Sequence, residues 1–223
     1  MINYKYLMFF IIFTTGLFAN TQPKIYFEEY KTKEELLKKL PDNHSYKIAM
    51  LGDSITAAAK WKSLLNRNDV LNLGVASDVT DVQINGDSYG LINRIENLDK
   101  KFDDVFLMIG VNDFLFQRDV SNVFEKYKNI IEKLEKKGIK PIIQSTLFIR
   151  KNNYGFSAEV MNEKIKQLDI LLRIYCEKNN LKYLNLNKYL SQNNTLINEY
   201  TWDGIHLNQK GYKIWADIIK KKI

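Results

Sequence analysis

The sequence is poor in cysteine, histidine and proline. Its 223 residues include one cysteine, two histidines and three prolines. A single cysteine excludes a disulfide within the chain and a cysteine-based metal site. Cys176 stands among apolar residues, which favours a packing role. The hydrophobic content is 45%, and no repeat or low-complexity linker interrupts the chain. These features indicate one globular domain with a sizeable core.

Several motifs that define other protein classes are absent. The chain has no phosphate-binding P-loop, no G-x-G-x-x-G, no H-E-x-x-H and no G-x-S-x-G elbow of the α/β-hydrolases. The formal net charge of +7 leaves open an anionic partner such as a cell-wall polymer or a membrane surface. Lysines are scattered over the predicted helix faces, however, and no aromatic–basic ladder accompanies them. We therefore predict no nucleic-acid partner.

The first residues are typical of an export signal. Lys5 gives a short positive region, an apolar run spans residues 7–18, and Ala19 offers a cleavage position. The run is too short to span a bilayer comfortably. The position three before the cut is Leu17 rather than a small residue, so an uncleaved membrane anchor stays open. We predict a signal peptide or N-terminal anchor over residues 1–19, and a periplasmic or secreted protein.

A helical lead-in is predicted over residues 20–45, ahead of the main domain at 46–223. Apolar residues recur near helical spacing between residues 26 and 40. A polar turn at 41–44 then ends the helix. His44 lies in this turn without an acidic partner at suitable spacing, so we interpret it as a surface residue.

Strand-like and helix-like patterns alternate through the main domain. Short apolar runs predict strands at residues 47–51, 70–73, 105–109, 141–145 and 183–186. Helical patterns lie at residues 56–65, 89–98, 120–136 and 157–179, and an amphipathic helix ends the chain. This rhythm is typical of a mostly parallel sheet with helices on both faces and right-handed crossovers. The order of the strands is left open.

A serine follows the first predicted strand at an abrupt turn. The apolar run 48–51 stops at Gly52-Asp53-Ser54, and a helical pattern begins at once. Such a turn raises the Ser54 hydroxyl above the carboxyl edge of the sheet, where a helix N-terminus offers N–H groups to a developing negative charge. We therefore predict Ser54 as a nucleophile. The alternative is that Asp53 or Ser54 only caps the helix.

A base for this serine is found near the C-terminus. Asp203 and His206 are three residues apart, with a glycine between them. Serine is a weak nucleophile until a base takes its proton, and the base works best when a carboxylate orients its other ring nitrogen. We predict that Ser54, His206 and Asp203 form a catalytic triad.

Four short blocks together resemble the GDSL or SGNH hydrolase family. The blocks are Gly52-Asp53-Ser54-Ile55, Asn72-Leu73-Gly74, Gly110-Val111-Asn112-Asp113 and Asp203-Gly204-Ile205-His206, in the family's order. The resemblance covers the chain from about residue 46 to its end. It implies a serine esterase with an α/β fold, a three-layer α/β/α sandwich around a flavodoxin-like sheet of five parallel strands. Many members have a glycine where this chain has Ala57-Ala58-Ala59, a change that would narrow the acyl side of the pocket.

Ser54, Gly74 and Asn112 each follow the end of a different predicted strand. Ligands in open α/β sheets bind beyond the carboxyl ends of the strands, so these residues should converge at one edge. Gly74 has no Cβ, so its N–H can approach a reacting carbonyl oxygen closely, and Asn112 can donate from its side chain. Together with the Ser54 N–H, they form a predicted oxyanion hole. Taken singly, Gly74 also fits an ordinary strand-ending glycine and Asn112 a turn cap.

The predicted function is an exported serine esterase that removes a small acyl group, with acetyl first, from a carbohydrate or cell-wall glycan. Arg150 and Tyr154 lie in a loop at the same edge of the sheet and are predicted to contact the substrate. This serine mechanism needs no cofactor and no metal.

Three other functions stay open. A lipid esterase or lysophospholipase, or a thioesterase, would use the same triad on another acyl group. A non-catalytic surface glycan-binding protein would keep the fold, but binding alone would not require all four blocks. A metal site for phosphoesters would use Asp53, Asp113, Asp203 and His206, which make a poor ligand set because the carboxylates are scattered.

Overall fold

Strands and helices alternate along the part of the chain that the structure, a computed structural model, describes: residues 27–41, 43–84, 87–98, 101–150 and 157–223. The strands are β1 (Ile48–Gly52), β2 (Val70–Gly74), β3 (Val82–Ile84), β4 (Asp87–Tyr89), β5 (Asp104–Met108), β6 (Ile142–Gln144), β7 (Tyr183–Leu184), β8 (Ser191–Gln192) and β9 (Thr195–Leu196). The α-helices are α1 (Phe27–Lys38), α2 (Ser54–Ala57), α3 (Trp61–Leu65), α4 (Leu91–Arg94), α5 (Val111–Leu115), α6 (Val120–Lys136), α7 (Ala158–Lys178), α8 (Asn187–Leu190) and α9 (Gln209–Lys220). Short 3₁₀ helices cover Ile95–Asn97 and Asn198–Tyr200.

Five of the strands form one parallel sheet in the order β2-β1-β5-β6-β7. Counted within the sheet, this is the 2-1-3-4-5 order of flavodoxin-like folds. Helices α4, α6 and α7 pack together on one side of the sheet, and α3, α8 and α9 pack on the other. The predicted three-layer α/β/α sandwich is confirmed, and all five predicted strands lie in this sheet.

The central strands form because short apolar runs are buried on both faces. Residues 48–51 of β1 are at most 1% exposed. Such continuous apolar runs are typical of parallel strands covered by helices on both sides. The register pairs Gly52 with both Gly74 and Met108. The carboxyl ends of β1, β2 and β5 therefore lie side by side at one edge.

The two long helices lie where the sequence predicts them. Helix α6 has the predicted bounds, and α7 differs from its predicted range by one residue at each end. Apolar positions at helical spacing account for both, because they bury one face against the sheet. In α6 the buried residues are Val123, Tyr127, Ile130, Ile131 and Leu134.

Two other helical predictions are wrong in detail. The predicted helix at 56–65 is broken into α2 and α3. The predicted helix at 89–98 shrinks to α4 and a 3₁₀ turn, because Tyr89 pairs with Val82 in the β3–β4 hairpin. Both of these side chains also pack against Val75. Tertiary contacts therefore override the local pattern at this point.

Helix α1 lies within the predicted lead-in segment and packs onto the domain. Leu37 is buried, and the Lys33 ammonium donates to the Asn72 carbonyl of edge strand β2 at 2.8 Å. Residues 1–26, which include the predicted signal peptide or anchor, lie outside the described residues. Across the ranges that the structure describes, no helix is long and apolar enough to cross a membrane.

Helix α9 packs against α3 and forms a hydrogen bond to α2. Trp215 packs edge-on to Trp61 with ring centroids 4.8 Å apart, and both rings are buried. The Tyr212 hydroxyl donates to the Ile55 carbonyl at 2.7 Å. The segment just before α9 is therefore held next to the turn that follows β1.

Candidate active site

Ser54 is the first residue of α2 and stands directly beyond the end of β1. Asp53 caps the helix, since its carboxylate accepts the Ile55 N–H at 3.0 Å. As the first helical residue, Ser54 has a backbone N–H with no partner inside the helix. The cap is therefore Asp53, and the partly exposed Ser54 hydroxyl is left for another role.

Asp203 and His206 lie in a tight turn held by hydrogen bonds from backbone N–H groups to the Asp203 side chain. Asp203 Oδ1 accepts the N–H of Ile205 at 2.9 Å and the N–H of His206 at 2.7 Å. Gly204 has φ +92°, a left-handed conformation that favours glycine. The turn therefore fixes the carboxylate beneath the imidazole.

His206 contacts both other residues of the predicted triad. Its Nδ1 lies 2.6 Å from Asp203 Oδ2, and its Nε2 lies 2.9 Å from Ser54 Oγ. An ionised carboxylate only accepts, so Nδ1 carries the proton and Nε2 is left to accept from the Ser54 hydroxyl. The fold thus brings together two residues that are 152 positions apart in sequence.

The surroundings of Asp203 keep it ionised at neutral pH. Partial burial alone would raise the pKa of Asp203, but the hydrogen bond and charge of His206, with two backbone N–H groups, outweigh burial and leave the pKa below its ordinary value. An ionised carboxylate here fixes the histidine tautomer and stabilises an imidazolium.

Asn112 lies in the first turn of α5, beyond the end of β5. Its Nδ2 donates to the Asp78 carbonyl at 2.8 Å. This bond orients the amide and uses one of its two hydrogens, which leaves the second for a ligand. The side chain is almost fully buried, so its orientation is fixed by packing as well.

Gly74 is explained first by close packing. A Cβ here would stand 2.3 Å from the Ala57 backbone nitrogen, so glycine lets α2 lie against β2. The Gly74 N–H donates to Asn72 Oδ1 at 3.0 Å. The Asn72 amide in turn donates to Ala57 O at 2.9 Å and Ala59 O at 3.1 Å. The backbone donor predicted for an oxyanion is therefore already engaged within the protein.

The loop after β2 holds Ser77 in an unusual conformation. Its φ is +58°, in a region that residues other than glycine rarely occupy. Ser77 is partly exposed, directly before the buried Asp78. Backbone strain of this kind tends to cluster at functional sites. Serine does not signal a left-handed backbone, so the sequence does not predict this feature.

The buried side chain of Arg94 forms hydrogen bonds at the ends of both β1 and β2. The Arg94 guanidinium donates to Leu73 O at 2.6 Å and to Gly52 O at 3.1 Å, and its Nε lies 2.9 Å from Asp78 Oδ2. Burial raises the pKa of Asp78, while the charge and the hydrogen bonds of Arg94 oppose that rise. Removing one partner of such a buried pair typically costs about 3–5 kcal/mol. No local pattern marks a buried arginine, so the sequence analysis missed this support.

Asp53 is a buried carboxylate beside the nucleophile. It is 1% exposed, and its Oδ2 has no hydrogen-bond partner among the described residues. Burial raises the pKa of Asp53 to about 7. The protonated form is therefore favoured in the folded protein relative to the unfolded chain.

Asp53→Asn should stabilise the protein at high pH and not at low pH. The folded-state pKa of Asp53 lies above the unfolded value of about 3.9, so wild-type stability falls as the pH rises through this interval, to about 7. The amide keeps the helix cap and never ionises. We expect the unfolding free energy in urea to rise by about 1–3 kcal/mol at pH 8 and to be unchanged at pH 4.

Asp69→Asn is the matched control for this measurement. A hydrogen bond from Arg67 lowers the pKa of Asp69, so its removal should reduce stability at neutral pH, and the loss should fade as the pH falls. Equal stabilities of wild type and Asp53→Asn at both pH values would contradict the raised pKa of Asp53.

Three more residues were named in the sequence predictions: Arg150, Tyr154 and His44. Arg150 lies beside the triad turn, because its backbone N–H donates to the Gly204 carbonyl at 2.8 Å. Tyr154 lies outside the described residues. His44 precedes β1, at the opposite end of that strand from the nucleophile, and is half-buried against Phe102 with ring centroids 5.0 Å apart. It is therefore less exposed than predicted, because an aromatic ring covers it.

Trp202 belongs to the site and was missed by the sequence analysis. Its ring stacks on His206, with centroids 5.7 Å apart and planes 18° apart, and the residue is 66% exposed. The available signal was a tryptophan directly before Asp203.

Across the described part of the chain, no group of three or more His, Cys, Asp or Glu side chains is placed to hold a metal ion.

A protein-family model covers most of the chain. The model of the GDSL-like lipase/acylhydrolase family matches residues 50–214. The chain therefore belongs to this family.

Solved structures with the same fold include several esterases. A GDSL-like lipase from Bacteroides thetaiotaomicron has a TM-score of 0.73 and 20% identity, covering 88% of this chain and 96% of its own. An aryl esterase from M. smegmatis has a TM-score of 0.66 and 13% identity, covering 79% and 97%. A carbohydrate acetylesterase from Sinorhizobium meliloti has a TM-score of 0.63 and 14% identity, covering 79% and 97%. At these identities the similarity shows the shared fold.

Curated relatives by sequence include the N-acylneuraminate cytidylyltransferase of Streptococcus agalactiae serotype V. The two are 25% identical over 124 residues, which is 52% of this chain. The matched region spans 29% of that relative's length.

Proposed function

We propose that the protein is an exported serine esterase that removes a small acyl group, with acetyl first, from a carbohydrate or cell-wall glycan. The observation that carries this proposal is the hydrogen-bonded series from Asp203 through His206 to Ser54, with contacts of 2.6 Å and 2.9 Å. Membership of an acylhydrolase family supports ester hydrolysis. Export rests on the signal-like sequence at residues 1–19 and places the enzyme in the periplasm or outside the cell.

In the proposed reaction, Ser54 Oγ attacks the ester carbonyl carbon while its proton moves to His206 Nε2. The C–O bond of the ester then breaks, and His206 gives the proton to the leaving alcohol. A water molecule attacks the acyl-enzyme with the help of the same base, releasing the carboxylic acid and free Ser54. Asp203 stabilises the imidazolium in both halves of the reaction.

The developing oxyanion is proposed to bind between the start of α2 and the start of α5. The Ser54 N–H and the second Asn112 amide hydrogen are the two available donors. Gly74 remains a proposed third donor, and it can serve only by sharing its bond to Asn72. The N–H of the partly exposed Ser77 is an alternative donor from the same loop. Removing one such donor typically costs about 10²–10³ in kcat.

Two comparisons support a carbohydrate substrate. The neighbour from S. meliloti is by name a carbohydrate acetylesterase, and the S. agalactiae relative is by name an N-acylneuraminate cytidylyltransferase, which names a sugar acid. The alternative of a long-chain lipid ester requires a continuous apolar groove. Three apolar residues that could have lined one are instead buried in the core: Val79, Phe114 and Phe148.

Activity should therefore fall from acetyl to octanoyl esters. Each buried methylene contributes only when an apolar wall shelters it. Because Val79, Phe114 and Phe148 are taken up by the core, we expect kcat/KM for p-nitrophenyl esters to fall roughly 10- to 100-fold from acetyl to octanoyl, with butyryl between them.

The same series tests the proposed function. No hydrolysis of p-nitrophenyl acetate would contradict the esterase proposal. A rise in kcat/KM with chain length would instead favour a lipid esterase or thioesterase using the same triad.

A further inference from the structure

Of the three tryptophans in the chain, Trp202 is the exposed one. It is 66% exposed, whereas the other two tryptophans of the chain, Trp61 and Trp215, are at most 2% exposed. Tryptophan is enriched at binding interfaces, because its large ring offers an apolar face and its N–H a polar handle. The ring also lies over His206. A flat, apolar surface is therefore presented at the point where a leaving group would depart.

A cavity of about 600 Å³ is lined in part by Arg150, a residue that contacts the Asp203–His206 turn. The contact is made by the backbone of Arg150, whose main-chain N–H donates to the Gly204 carbonyl at 2.8 Å. The rest of the wall is the β8–β9 hairpin and the segment that follows it. The lining residues besides Arg150 are Gln192, Asn193, Thr195, Leu196, Ile197, Asn198 and Glu199.

Three of the six polar residues that line this cavity carry uncharged amides, and Arg150 is its one cationic residue. Glu199 is paired with Lys210 at 2.7 Å, so its charge is already balanced. Within the described residues, no ion pair involves the exposed Arg150 guanidinium. Amide side chains suit hydroxyl groups, and a guanidinium suits a carboxylate, with which it can form two parallel hydrogen bonds.

We propose that this cavity, together with Trp202, is the subsite for the leaving alcohol, and that the alcohol is a sugar carrying a carboxylate. Arg150 pairs with the carboxylate, the amides of the hairpin contact hydroxyl groups, and a face of the sugar ring lies on the indole. This inference rests on the proposed esterase function and adds to it the charge of the sugar. Arg150 and Trp202 determine which sugar is bound, and both lie next to the turn that holds His206.

The hydrolytic test compares two acetylated sugars that differ only in the carboxylate, O-acetylated methyl glucuronide and O-acetylated methyl glucoside. We expect wild-type kcat/KM to be about 10- to 100-fold higher for the glucuronide, the range typical of a hydrogen-bonded charge pair. Arg150→Gln should reduce this ratio to about 1, mainly through KM. Trp202→Ala should raise KM for both sugars while keeping the ratio, and Trp202→Phe should restore most of the loss. Arg173→Gln, which removes an exposed arginine from α7, is the matched control and should keep the wild-type ratio.

Binding supplies a readout that does not depend on turnover. Because Trp202 is the exposed tryptophan, unacetylated methyl glucuronide should change its fluorescence at lower concentration than methyl glucoside does. Arg150→Gln should remove that difference. If the protein hydrolyses p-nitrophenyl acetate but treats the two sugars alike in both assays, the subsite inference is wrong and the esterase proposal stands. If it hydrolyses no ester yet binds the glucuronide selectively through Arg150, the esterase proposal fails and the acidic-sugar site stands.

Discussion

Replacing Ser54 with alanine should lower kcat on p-nitrophenyl acetate by about 10⁴- to 10⁶-fold. The hydroxyl is the proposed attacking atom, 2.9 Å from His206 Nε2. The residues of a triad act as a unit, so losing one removes nearly the whole contribution of the chemical step. The fold should survive, because the side chain is small and Asp53 provides the helix cap.

Ser63→Ala is the matched control for this substitution. Ser63 is an exposed serine on the next helix, α3, so its variant should keep wild-type turnover. Thermal unfolding of both variants should match the wild type. A Ser54→Ala protein that is folded and turns over within tenfold of the wild type would contradict the assignment of the nucleophile.

His206→Ala should reduce kcat by about the same 10⁴- to 10⁶-fold, since the serine then has no base. The chain offers a matched control, because it has two histidines. His44 lies before β1 and packs against Phe102, so His44→Ala should leave kcat within about twofold. Both variants are measured on the same acetate ester, with thermal unfolding recorded alongside.

The two histidine variants discriminate between opposite assignments. An inactive but folded His44→Ala protein with an active His206→Ala protein would show that the proposed triad is wrong. Equal losses in both would point to general destabilisation, which the unfolding curves would reveal.

The fold was largely predictable from the sequence because its signals are local. The central strands are short apolar runs buried on both sides, as at residues 48–51. Helices α6 and α7 are long enough for their apolar spacing to define them. The Ser54 turn and the Asp203–His206 turn are also local, and the structure places them within hydrogen-bond distance.

What the sequence could not reveal depends on contacts between distant segments. The sequence predicts Arg94 only as one residue of a helix. In the structure its guanidinium donates hydrogen bonds to carbonyl groups of two strands and to the Asp78 carboxylate. Gly74 carries a pattern that suits an oxyanion donor, but the orientation of its N–H toward Asn72 depends on how α2 packs over β2. Such features appear only when the neighbours are in place.

The acyl pocket illustrates the same limit in another way. The sequence offers apolar residues in the loops near the site and does not reveal which way they face. In the structure Val79, Phe114 and Phe148 are buried. Their burial supports the proposal of a short acyl group, which the ester series tests.

Covalent labelling with a fluorophosphonate is the most direct test of the proposed serine mechanism. The reagent reacts with an activated serine, and peptide mass mapping locates the adduct. We predict one adduct, on Ser54, that is absent from Ser54→Ala and greatly slowed in His206→Ala, with activity lost in proportion to labelling. An adduct on another residue, or full labelling of His206→Ala at the wild-type rate, would contradict the proposed triad.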